Sequence, residues 1–136
     1  MAQSRTGSAE LRSPLGRAIG LGSAKEGVEH WWRQRITAVA LVPLALWFVV
    51  SVIRLAGADY AAFKAWLGHP VPAILMVLLV IATFYHAALG LQVVIEDYIH
   101  ARGAKFALLI AIWLGCLVLA VAGIIAVLKL TLASGA

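Results

Sequence analysis

The chain has 136 residues, of which 63% are apolar and only 12% charged, with a formal net charge of +5 and a mean hydropathy of +0.97. Soluble domains are about half apolar and about a quarter charged, so an ordinary water-soluble enzyme is excluded. The single cysteine, Cys116, makes neither a disulfide framework nor a cluster site, and the basic surplus has a membrane explanation that needs no nucleic acid.

Residues 1–34 combine Gly, Ser and Arg with Pro14 and hold no short apolar stretch followed by a small-residue cleavage site. They read as a cytoplasmic arm that stays on the mature chain. Two forms of it are open: a segment extended over the membrane surface against a soluble partner, or a basic tail held by anionic lipid. Gly20, Gly22 and Gly27 lack the preceding strand and the spacing of a phosphate loop.

Residues 35–136 carry three long apolar runs, which predict helices over about 36–55, 72–95 and 106–128. Spanning a bilayer takes about 20 apolar residues rising about 1.5 Å each. No run alternates with period two, so the predicted class is an all-α membrane protein with three transmembrane helices. Pro43 removes a backbone bond in mid-helix and implies a kink packed against a neighbour. Ala111, Gly115 and Gly123 place small residues at four-residue multiples in the third run, which suits close helix packing. Cys116 in the same run reads as a small buried apolar residue.

Among polar residues inside the runs, His86 stands out. It lies about ten residues before the acidic end of the second run, hence about 15 Å from that surface and near the midplane. An ionisable side chain at such depth is costly and is by default a functional hypothesis. Ala82 and Gly90, one turn to either side, leave room beside the imidazole for a flat cofactor, and neutral imidazole is a common axial ligand of haem iron. The alternative is a structural histidine hydrogen-bonded to a facing helix. His30, His69 and His100 fall outside the hydrocarbon, so a second axial ligand would come from another chain.

Asp97 follows His86 by eleven residues, and eleven steps of about 100° return to within about 20° of the same helix face. Tyr98 stands next to it at the water interface. The pair suits a quinone, a phenol donating to a carbonyl beside a carboxylate that assists proton delivery. It equally suits a helix end with an aromatic-belt tyrosine. Arg35, preceded by His30, Trp31 and Trp32, can pair with a carboxylate such as a haem propionate or anchor to lipid phosphates.

The segment HAALGLQVVIEDY at 86–98 resembles the second-helix motif of the smaller cytochrome-type membrane anchor subunits of succinate dehydrogenase, respiratory complex II. GVEHWWRQRITAVALVPL at 27–44 is similar to the first helix of that family, and LGR at 15–17 to its N-terminal arm. The resemblance implies one half of a heterodimeric helical bundle in the bacterial inner membrane. Its partners would be a larger cytochrome b anchor subunit, an iron–sulfur subunit and a flavoprotein subunit that oxidises succinate. No activity is expected of this chain alone, and no catalytic residue is assigned to it. Carried over, His86 would ligate haem b, Asp97 and Tyr98 would border the ubiquinone, and Arg35 with His30 would meet a haem propionate. A fumarate reductase anchor and a haem-free structural anchor share this architecture. A small transporter subunit would show paired intramembrane charges or broken helices, where this chain offers His86 and one proline in mid-run.

Arg and Lys set the orientation, because cytoplasmic flanks carry the excess. Arg5, Arg12, Arg17, Lys25, Arg33 and Arg35 precede the first run, and Arg102 and Lys105 lie between the second and third. Arg54, Lys64 and Lys129 form the minority on the other side. Reporter fusions should therefore place the N-terminus and the 97–105 loop in the cytoplasm and the 57–69 loop outside. Labelling of the first loop from the cytoplasmic side alone would reverse the assignment.

Overall fold

In the computed structural model the backbone is described over residues 23–134 and the side chains over 28–133. The reading of residues 1–22 as a surface arm lies outside the described residues. Two compact units, Met1–Trp32 and Arg33–Ala136, divide the chain. The elements are α1 (Ser23–Arg54), α2 (Tyr60–Gly68), α3 (Pro70–Tyr98) and α4 (Arg102–Ser134). No strand occurs among the described residues. Three helices are long and apolar enough to cross a membrane, over Val28–Arg54, Pro70–Tyr98 and Arg102–Ala133.

Each long helix outruns its apolar stretch, because in lipid every backbone group needs an intrahelical partner until water can replace it. The helix α1 is already formed at Ser23, well before the apolar run, and continues through Pro43 to Arg54. Pro43 is exposed, so the neighbour expected against it is not supplied by the described residues. The start of α3 is set by Pro70 in its first turn, where a missing N–H costs nothing. Its end is set at Ile99, whose N–H closes on the Ile95 carbonyl at 3.0 Å.

Between α1 and α3 the sequence suggests only a loop, yet residues Tyr60–Gly68 form a nine-residue helix. Gly57 makes the turn into it at φ +84°, a conformation a side chain would strain. Asp59 caps its start by accepting the Ala62 N–H at 2.8 Å. The helix folds back on the bundle. Leu67 is only 2% exposed, Trp66 stacks on Trp47 of α1 with centroids 5.9 Å apart, and the Thr131 hydroxyl of α4 approaches the Leu67 carbonyl at 3.4 Å.

The helices α3 and α4 pack closely at Gly123. A Cβ added at Gly123 would stand 3.1 Å from Val80 Cγ1, so the glycine lets the two helices approach. Tyr85 meets Trp113 edge-on at 6.0 Å across the same seam. Ala111 and Gly115, expected on one stripe with Gly123, are exposed instead. Four-residue steps drift about 40° each on a helix of about 100° per residue, so twelve residues turn about 120° away. Most large apolar side chains face outward, Val39 at 72% and Leu132 at 74% among them. Such surfaces suit lipid and neighbouring transmembrane helices rather than water.

Replacing Gly123 with Val should overpack this seam and cost about 1–3 kcal/mol. Thermal unfolding of the purified membrane complex should report the loss, and pairing the change with Val80→Ala should restore most of it.

Candidate functional site

His86 is half-buried on α3 and faces α1. Its Nδ1 lies 2.9 Å from the Thr37 hydroxyl, and its Nε2 lies 3.4 Å from the Gln34 side-chain nitrogen. Gln34 and Thr37 are three residues apart and therefore share one face of α1. Both readings of His86 bear on this geometry. The hydrogen bond to a facing helix is present, and it occupies one ring nitrogen at short range and leaves the other with a long contact only.

Proton accounting fixes the roles. The Thr37 hydroxyl has one proton, and its oxygen lies 2.9 Å from the Arg33 carbonyl and 3.0 Å from the Gln34 carbonyl, the back-bonding habit of threonine in a helix. With that proton directed to the backbone, the short contact to His86 is assigned as Nδ1–H donating to the Thr37 oxygen. The Nε2 atom then carries a lone pair, toward which the Gln34 amide points its N–H. This tautomer is assigned from the network, as ring protons must be.

The Gln34 amide is only half satisfied, because its Oε1 is buried with no hydrogen-bond partner. A Cβ at Gly90 would stand 3.5 Å from the Gln34 nitrogen, so the space expected beside the imidazole is real and is filled by this side chain. Sequence reasoning missed Gln34 and Thr37. Their signal was a polar pair at helical spacing at the mouth of an apolar run.

Contact with Thr37 also revises the depth of His86. The apolar run of α3 puts the histidine near mid-depth, but Thr37 is the second residue of the apolar run of α1. The two runs are staggered, which brings the polar mouth of α1 level with the imidazole. Arg35 stands at that level but about 100° around α1 from Gln34, and it is exposed. His30 belongs to the first unit, where its Nε2 is buried without a hydrogen-bond partner and Trp31 and Trp32 meet edge-on at 5.2 Å.

Asp97 and Tyr98 close α3, about 16 Å along the axis from His86. Asp97 is exposed, as is Tyr98 at 77%. Their neighbours are tied to α4. Lys105 donates to the Glu96 carbonyl at 2.9 Å, Gln92 donates to the Glu96 carboxylate at 2.9 Å, and the Trp113 indole donates to Gln92 at 3.3 Å. Neither Asp97 nor Tyr98 enters that network.

The donor set fits a single axial ligand. Imidazole supplies one nitrogen lone pair with its proton held on the opposite nitrogen, the usual arrangement of metal-binding histidine. No group of three or more His, Cys, Asp or Glu that could hold a metal occurs among the described residues.

Comparison with known proteins places this geometry in context. Residues 9–123 match the family described as Succinate dehydrogenase/Fumarate reductase transmembrane subunit. A succinate dehydrogenase hydrophobic membrane anchor subunit of Rickettsia bellii is 39% identical over 118 residues, 87% of this chain and 94% of that one. The protein of the same name from Paracoccus denitrificans is 36% identical over 110 residues, 81% of this chain and 85% of its own. A succinate dehydrogenase membrane anchor subunit of Reclinomonas americana is 26% identical over 84 residues, 60% and 70% of the two chains. No solved structure gives a significant match.

Proposed function

Because the chain belongs to the family of succinate dehydrogenase and fumarate reductase transmembrane subunits, we propose that it anchors a succinate:quinone oxidoreductase in the bacterial inner membrane, ligates haem b through His86 and borders the ubiquinone with Asp97 and Tyr98. The names of its curated relatives favour succinate oxidation over fumarate reduction. The flavoprotein and iron–sulfur subunits would carry the oxidation of succinate, and a larger cytochrome b anchor subunit would complete the bundle and supply the second axial ligand. The N-terminus faces the cytoplasm in this reading.

The observation that carries the proposal is the arrangement on α3. One helix bears an imidazole whose Nε2 has a lone pair and, about 16 Å onward, a carboxylate and a phenol that are exposed and unengaged. When bound, a haem supplies a one-electron store close to the quinone site. Reduction of a quinone to a quinol takes two electrons and two protons. Tyr98 can donate its O–H to a quinone carbonyl, which orients the ring and stabilises charge on that oxygen as electrons arrive. Asp97, beside it at the water interface, can take protons from water and pass them on. The Arg35 guanidinium is a group that suits a propionate, and the His30 imidazole, taken by itself, is another.

Two substitutions test the reading. Replacing His86 with Ala should abolish or alter the low-spin haem spectrum of the assembled complex, and an unchanged spectrum at full occupancy would sink the ligand assignment. Tyr98→Phe keeps the ring and removes one donor, so quinone reduction should fall about 10²-fold. Oxidation of succinate with an artificial dye acceptor should persist. Survival of both activities would make Tyr98 a belt residue, and joint collapse would make its role one of assembly.

A further inference from the structure

We infer that Thr37 is the positioning residue of the His86 imidazole: by accepting the Nδ1 proton it fixes the tautomer that presents Nε2 to a metal and strengthens that nitrogen as a ligand. The inference rests on the haem-ligand reading of His86 and goes beyond it in assigning a role to a residue of another helix.

Three observations carry it. The Thr37–His86 contact is short, at 2.9 Å, and it crosses from α1 to α3. The threonine oxygen is itself held, because its hydroxyl reaches back to the carbonyls of Arg33 and Gln34 at 2.9 and 3.0 Å. A β-branched side chain bonded to its own helix has little rotamer freedom, so the acceptor is fixed before the imidazole meets it. The third observation is the asymmetry between the ring nitrogens. Opposite Nε2 stands a long 3.4 Å contact from an amide whose oxygen is buried and unpartnered. A half-satisfied side chain is the weaker of the two partners. The network thus holds one nitrogen tightly and covers the other loosely.

The chemical consequence has a definite sign. A hydrogen bond from the far ring nitrogen raises the basicity of the ligating one. A more basic ligand favours ferric over ferrous iron, which lowers the reduction potential. The opposite assignment, with the Thr37 hydroxyl donating to Nδ1, would put a proton on Nε2 and leave no lone pair for a metal.

The test uses the whole purified complex and a redox titration of its haem b absorption. Thr37→Val should keep the haem but raise its midpoint potential; a tenfold loss of ferric preference corresponds to about 59 mV for one electron. Thr37→Ser keeps the hydroxyl and should stay at the wild-type potential. Should the valine variant fail to assemble, Thr37→Ala against Thr37→Ser makes the same comparison. Equal potentials in the hydroxyl-bearing and hydroxyl-free variants, with His86→Ala lacking the haem signal, would overturn the role of Thr37 and leave His86 a ligand. A haem signal unchanged in His86→Ala would overturn both readings together.

Discussion

The short contact between the His86 ring and the Thr37 hydroxyl on the facing helix is the one on which the geometry of the site depends. In lipid no water stands ready to repair a missing hydrogen bond, so an unpaired N–H at this depth would cost on the order of 1–3 kcal/mol. Thr37 gives one ring nitrogen a partner at 2.9 Å, while the other has only the long contact to Gln34. It also ties α1 to α3 at a defined register. The Gln34 amide, the clearance at Gly90 and the staggering of the two apolar runs all follow from that register.

How much of this was readable beforehand depends on the range of the interaction. The three long helices follow from local composition, because a run of about 20 apolar residues has one spanning solution. The short helix α2 was not visible, since nine residues carry too few turns for a periodic signal and its stability comes from Leu67, Trp66 and Thr131 meeting distant elements. His86 draws attention because it is polar where its surroundings are not, and Asp97 and Tyr98 because they stand at the acidic end of the second run. Gln34 and Thr37 were missed because their contact with His86 depends on which helix they face. Nothing within α1 states that register. The stripe of Ala111, Gly115 and Gly123 shows the same limit from the other side: counting in fours grouped three residues that the drift of the helix separates, and only Gly123 reaches α3.

Few side chains are buried among the described residues, and the largest of the fully buried ones, Leu67 and Leu89, lie on α2 and α3. A helical protein with so little interior would not hold together in water. Here the outward apolar surface is not a deficit, because lipid tails accept it at no cost and association with other helices is left to packing and polar contacts. The internal seams therefore rest on specific devices: a glycine against a valine, two aromatic pairs and a few hydrogen bonds between helices. Each is local, so the loss of one is expected to loosen a seam rather than dissolve a core.

The same economy separates the two ends of α3. Around Glu96 the polar groups are consumed in structure, with Lys105 on its carbonyl, Gln92 on its carboxylate and Trp113 on Gln92. Those bonds pin the short turn into α4, and a pinned turn fixes where the next two residues project. Asp97 and Tyr98 take no part in the pinning and stand exposed. The last turn of α3 leaves backbone carbonyls free, and these need donors, which a carboxylate cannot supply. Lys105 and the Ile99 N–H supply donors there, so the turn is closed by groups other than Asp97 and Tyr98, which stay exposed beside it.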